Sequence, residues 1–136
     1  MQRHLTMAAS MENLEKATAF LDSALGEEMV PPKAVLQAEL ALEEAYVNVV
    51  HYAYPDGNGE VTLELRTDPD ARTFTLRLLD GGIPFNPLEE EAPDLSLSSG
   101  DREIGGLGIF LVRKNMDDVS YEYADGQNIL TMKKRY

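Results

Sequence analysis

Residues Glu39 to Tyr54, E-L-A-L-E-E-A-Y-V-N-V-V-H-Y-A-Y, constrain the fold more than any other stretch. At ~100° per residue they predict a long helix that is apolar nearly all the way round. Leu36, Leu40, Val47 and Val50 make one side, and Ala38, Leu42, Ala45 and Val49 make another. Between them runs a narrow polar seam of Gln37, Glu44, Asn48 and His51. Such a helix is expected to be mostly buried, its seam facing a thin strip of solvent or an internal groove. Glu44 and Asn48 stand at i and i+4 and are neighbours on the seam. A carboxylate beside a carboxamide over a groove can hold a metal ion and handle a proton. Equally, the pair can be the helix's wet side, and the helix alone leaves both readings open.

Composition narrows the classes. The 136 residues suit one domain, 1–136, with a real core and no second domain. With no cysteine, a disulfide framework, a thiolate metal site and a cysteine nucleophile are excluded. No apolar run approaches ~18 residues and the N-terminus has no signal-like apolar core, so a soluble cytoplasmic protein without membrane contact is expected. Net charge is −12, from 24 acidic against 12 basic residues, a field that repels nucleic acid and attracts a basic protein partner.

Taken in order, Arg3 to Ala9 predicts a short strand through the alternation of Leu5 and Met7. Ser10 is placed to cap a first amphipathic helix, Met11 to about Glu28, with Leu14, Ala17, Leu21, Ala24 and Leu25 at helical spacing. Pro31-Pro32 breaks the chain and opens the second helix, which runs to about Tyr54 before the turn residues P-D-G-N-G. From Glu60 the period becomes two: Val61, Leu63 and Leu65 make one strand, D-P-D-A turns, and Phe74, Leu76 and Leu78 return. Pro84 to Ile104 predicts a long acidic loop of a length that is usually functional. The segment I-F-L-V-R-K-N-M then predicts a helix, and Val119 to Tyr123 and Ile129 to Met132 a last hairpin. Helices first and antiparallel hairpins after make an α+β sandwich.

Two further pieces carry chemistry besides the Glu44/Asn48 seam. Asp80-Gly81-Gly82-Ile83-Pro84-Phe85 ends a strand in an acid that can accept a hydrogen bond from an exocyclic amine, and Gly82 lets backbone approach a flat ring. Gly105-Gly106-Leu107-Gly108 opens a helix whose free amides can bind phosphate. No G-x-x-x-x-G-K-[ST] loop occurs, and His4 and His51, the two histidines, belong to no triad or two-histidine metal site.

Together E-x-x-x-N, D-x-G-x-P-F, a lid-length loop and G-G-L-G-I-F-L-V resemble the GHKL ATPase superfamily of gyrase, Hsp90, histidine kinases and MutL. Within it, D-G-G-I-P-F-N-P and G-G-L-G-I-F-L-V-R-K-N-M-D-D-V-S-Y-E resemble the bacterial anti-sigma factor serine kinases of the RsbW and sporulation type, over Ser10 to Lys133. The resemblance implies the two-layer Bergerat sandwich, with helices on one face of a mixed, mainly antiparallel sheet. It implies ATP and Mg²⁺ as ligands, with Asn48 on the metal, Glu44 as base, Asp80 on adenine N6 and Gly82 beneath the base. Gly106, Leu107 and Gly108 would offer amides to the phosphates, residues 87–104 would form the lid, and Asn128 would sit near the adenine where relatives often carry Thr. Arg102 is the lid cation placed to meet the γ-phosphate, with Arg113 and Lys114 competing. Tyr52 stands where relatives often carry a His. The implied activity is phosphorylation of a STAS-domain antagonist by a serine/threonine kinase that also binds a sigma factor and, like relatives, forms a homodimer. The competing expectation is an ATP-dependent binding switch without transfer. A histidine-kinase fragment is disfavoured, because the first helix contains no His.

Overall fold

A computed structural model describes residues 1–89 and 106–136, and the side chains of residues 106–108 are not among those described. Strand β1 (Gln2–Ala8) leads through a 3₁₀ turn (Met11–Asn13) into α1 (Leu14–Glu27). Helix α2 (Pro32–Asn48) follows and widens into a π-helical turn over Val49–Ala53. The hairpin β2 (Glu60–Asp68) and β3 (Thr73–Asp80), helix α3 (Gly106–Asn115) and the hairpin β4 (Asp118–Ala124) and β5 (Gln127–Arg135) complete the chain.

The strands lie in the order β1-β2-β3-β5-β4. All four pairings are antiparallel, so the parallel component of the expected mixed sheet does not occur among the described residues. The reason is visible in the β1–β2 pair. The two-helix excursion between these strands brings the chain back with Gln2 opposite Arg66 and Ala8 opposite Glu60, running against its own start. Period-two burial then makes the sheet two-faced. Val61, Leu63, Leu65, Phe74, Leu76, Leu78 and Met132 are buried with the helices, while Arg77 pairs with Glu64 at 3.1 Å and the Thr6 and Thr62 hydroxyls bond at 2.8 Å on the other side. The expected turns close both hairpins. Asp68 Oδ1 accepts from the Ala71 amide at 3.2 Å, and Asp125 and Gly126 both take positive φ (54° and 77°), the pairing that a two-residue hairpin turn requires.

Two expectations are corrected. Ser10 supplies no side-chain cap, and α1 proper begins four residues later at Leu14. The carboxamide of Asn13 instead reaches back to the Ala8 carbonyl at 2.8 Å, and the Ser10 carbonyl accepts from the Tyr46 hydroxyl at 2.6 Å. Nor is α2 buried on both flanks. Ala38, Ala41, Leu42, Ala45 and Tyr46 lie in the core, but Leu36 is 56% exposed and Leu40 41%. The sheet covers one side of α2, and α1 and α3 pack beside it without closing over the stripe that carries Leu36 and Leu40.

Candidate functional site

The cleft forms where the C-terminal end of α2 passes over the ends of β3 and β5. It is a small cavity, partly open to solvent. Ala45, Asn48, Val49 and Ala53 line it from the helix, Leu78, Asp80, Asn128 and Leu130 from the sheet, Tyr121 from β4, and Phe85 and Pro87 from the following loop. Mostly apolar walls with four buried or half-buried polar groups suit a flat, partly polar ligand.

Local geometry fixes the loop after β3 against α2. The π turn turns the Ala53 carbonyl outward, where it accepts from the Ile83 amide at 2.9 Å. A Cβ on Gly82 would stand 2.1 Å from that same carbonyl oxygen, so only glycine permits the approach. The close approach that Gly82 allows is thus filled by the backbone of Ala53 itself. Beside it the Tyr54 hydroxyl donates to the Glu60 carbonyl at 2.5 Å and accepts from the Gly81 amide at 2.8 Å. Tyr52 stacks on Phe85 with ring centres 5.0 Å apart and planes at 17°.

Asp80 is buried at the inner end of β3. Its Oδ1 accepts from the Gly82 amide at 3.0 Å and from Asn128 Nδ2 at 2.9 Å. Burial pushes its carboxyl above the usual range, and these two hydrogen bonds work in the opposite direction. Asn128 lies directly across the β3–β5 ladder from Asp80. Its Nδ2 also donates to the Ile83 carbonyl at 2.8 Å, and its Oδ1 accepts from the Phe85 amide at 3.0 Å and from the Tyr121 hydroxyl.

On α2, Asn48 is 7% exposed, and no hydrogen bond joins its carboxamide to another described residue. Glu44 stands one turn earlier, half-buried, and is not part of the cleft wall formed by the described residues. Burial and then the neighbouring charge of Glu43 raise its carboxyl above the ordinary range. Among the described residues no three acidic or histidine side chains cluster as a metal cage. The carboxamide oxygen of Asn48 is a hard donor, of the kind that suits a cation bringing most of its own oxygens with it.

Gly106 and Gly108 fall in the first turn of α3, whose Ile109 and Val112 are buried in the core. Arg102 and most of the expected lid lie outside the described residues. Arg113 donates to the Leu88 carbonyl at 3.0 Å, and with Lys114 it occupies the last turn of α3, about 10 Å along the axis from its N-terminus. That end of α3 is capped by the buried Lys134, whose ammonium donates to the Asn115 carbonyl at 2.7 Å. The structure thus brings Asn48, Asp80 and Asn128 to one cleft. It adds Tyr121 to the cleft wall and Tyr54 beside the loop after β3, both of which the sequence reading missed. Gly59 was the available signal for Tyr54, since a Cβ there would stand 2.1 Å from the Tyr54 ring.

This end of the molecule thus carries a buried acid at a sheet end, a helix with an acid and an amide four residues apart, and a glycine-opened helix. The family model described as the histidine kinase-like ATPase domain matches residues 7–134, and the chain belongs to this family. The fold is also similar to part of a solved structure of the RsbU and RsbW domains of a Mycobacterium tuberculosis protein, at a TM-score of 0.68 over 99% of this chain and 32% of that one, with 15% identity. Among curated proteins, the serine/threonine-protein kinase BtrW of Bordetella bronchiseptica is 32% identical over 93 residues, 68% of this chain and 65% of its own. The serine-protein kinase RsbW of Listeria monocytogenes is 31% identical over 106 residues, 74% of this chain and 66% of its own. The matched part of the chain spans just under two thirds of the length of these relatives.

Proposed function

We propose that this protein is an anti-sigma-type serine/threonine protein kinase that binds Mg·ATP in the cleft and phosphorylates a STAS-type antagonist protein. In such a partner-switching circuit, unmodified antagonist competes with a sigma factor for the kinase, and the circuit operates in the cytoplasm. The observation that carries the reading is the meeting of buried Asp80 from the sheet and buried Asn48 from α2 in one cleft, with Glu44 a single helical turn from Asn48. The kinase names of the relatives support the same reading.

In this reading Asp80 accepts a hydrogen bond from the exocyclic amine of adenine, and the apolar walls receive the ring. The carboxamide oxygen of Asn48, which has no hydrogen-bond partner among the described residues, is a hard ligand that would hold Mg²⁺. Mg²⁺ held there would supply charge neutralisation for the transferring group. The amides of Gly106, Leu107 and Gly108 at the start of α3 suit the phosphates, and Arg102 in the lid suits the γ-phosphate. Glu44 takes the proton from the acceptor hydroxyl, a role suited by a carboxyl held above its usual range.

One observation favours a second reading, an ATP-dependent binding switch without transfer: Glu44 is not part of the cleft wall formed by the described residues. Incubating the protein with Mg·ATP and a STAS-domain protein and weighing the STAS protein separates the two. The kinase reading expects a gain of one phosphate on Ser or Thr. It also expects a drop of about 100-fold or more in transfer for Glu44→Ala with ATP binding retained. Transfer should fall with decreasing pH as Glu44 takes up a proton, beginning above the ordinary carboxylate range. Tight ATP binding with no phosphate gained leaves the switch.

A further inference from the structure

The Asn128 side chain has no capacity left for a ligand. A carboxamide has two donor hydrogens and an oxygen with two lone pairs. Both hydrogens are committed, to Asp80 Oδ1 at 2.9 Å and to the Ile83 carbonyl at 2.8 Å. Both lone pairs are committed too, to the Phe85 amide at 3.0 Å and to the Tyr121 hydroxyl. Asn128 is moreover only 5% exposed. Its place near the adenine, expected from its position in the sequence, therefore leaves its side chain no group free to contact a base directly in this arrangement.

Backbone groups fix which way this amide points. The Phe85 amide can only donate, so the Asn128 atom facing it is oxygen; the Ile83 carbonyl can only accept, so the atom facing it is nitrogen. The NH₂ group must therefore face Asp80, and the Tyr121 hydroxyl must donate to the amide oxygen. Asp80 Oδ1 is then filled by two donors, the Gly82 amide and Asn128, while Oδ2 has no protein donor among the described residues. A carboxylate held this way is an acceptor with one free oxygen. The relay crosses three adjacent strands: Tyr121 on β4, Asn128 on β5 and Asp80 on β3.

We infer that Tyr121 and Asn128 are positioning residues that present Asp80 solely as an acceptor, and that they thereby set the preference of the cleft for 6-amino over 6-oxo purine nucleotides. This rests on the ATP-binding reading above. A 6-amino group donates to Oδ2; a 6-oxo group opposes it, lone pair to lone pair. Loosening the relay lets the Asp80 carboxyl turn, or take up a proton and donate, so the penalty against a 6-oxo base shrinks.

The test is calorimetric titration of ATP and of ITP, with Mg²⁺, into the full chain, Tyr121→Phe and Asn128→Asp. Tyr121→Phe removes one hydroxyl and keeps the ring in the cleft wall, so it keeps the test decisive if Asn128→Asp does not fold. The wild type is expected to favour ATP. Tyr121→Phe is expected to narrow the ATP-to-ITP affinity ratio by about 3- to 10-fold, the scale of one hydrogen bond. Asn128→Asp, which sets a second carboxylate against Asp80, is expected to narrow it further and to make ATP affinity rise as pH falls. A merely structural role would weaken both nucleotides equally and leave the ratio in place. A wild type that prefers ATP, beside variants with an unchanged ratio, overturns this inference and leaves the ATP reading intact. A wild type that binds neither nucleotide overturns both.

Discussion

At Asp80, stability and ligand chemistry pull against each other. Its carboxyl titrates higher in the folded protein than in the unfolded chain because burial disfavours the charge. The folded state therefore takes up the proton more readily, and the cost of the buried charge is present above the folded value and fades as pH falls through it. Asp80→Asn is accordingly expected to raise the unfolding temperature at neutral pH, with the gap to the wild type closing in acid. The same change should weaken ATP at least about 10-fold, since Oδ2 becomes a donor facing a donor. Thermal melts across pH and a binding titration on one sample check both halves. A melting temperature unchanged at every pH would contradict the cost assigned to the buried charge. Asp80 and Asn48 were legible in the sequence because each sits in a short motif with a fixed local setting, a strand end and a helix face. The part played by Asn128 was not legible. Its four partners come from β3, β4 and the loop after β3, and only the β3–β5 and β4–β5 registers bring them together.

Among the elements, the helices show how far hydrophobic pattern reaches. The apolar content of α2 marked it as a largely buried helix, but pattern could not say which flank the sheet would take. Small Ala38, Ala41 and Ala45 sit in the core and let the helix approach the sheet, whereas the larger Leu36 and Leu40 stay exposed. Leu42→Ala should cost about 2–5 kcal/mol of stability, while Leu36→Ala should cost no more than about 0.5 kcal/mol. Denaturant titration of both variants checks this, and equal costs would contradict the one-sided packing. The hairpins were read to within a residue or two, because alternation and turn chemistry agree there, except that β5 runs three residues past Met132 to Arg135. The π turn at Val49–Ala53 carried no signal in the sequence pattern; in the fold its last carbonyl, that of Ala53, accepts from the Ile83 amide.

Taken whole, the molecule is a sheet that brings three sequence-distant pieces to one end. Residue 48 on α2, residue 80 at the end of β3 and residue 128 at the start of β5 line the same cleft because β5 pairs with β3 in a register that sets Asn128 opposite Asp80. The chain carries a net charge of −12, so a triphosphate meets an opposing field unless a cation travels with it. Asn48 is the one cleft-wall residue on α2 with a polar side chain, and it is the group assigned to that cation. The most direct test is therefore a calorimetric titration of ATP into the wild type and Asn48→Ala, each with and without Mg²⁺. Saturable binding that strengthens with Mg²⁺ in the wild type, and at least about 10-fold weaker binding that no longer responds to Mg²⁺ in the variant, is the predicted result. No saturation by the folded wild type at millimolar ATP, or an Asn48→Ala variant that responds to Mg²⁺ as the wild type does, would contradict it.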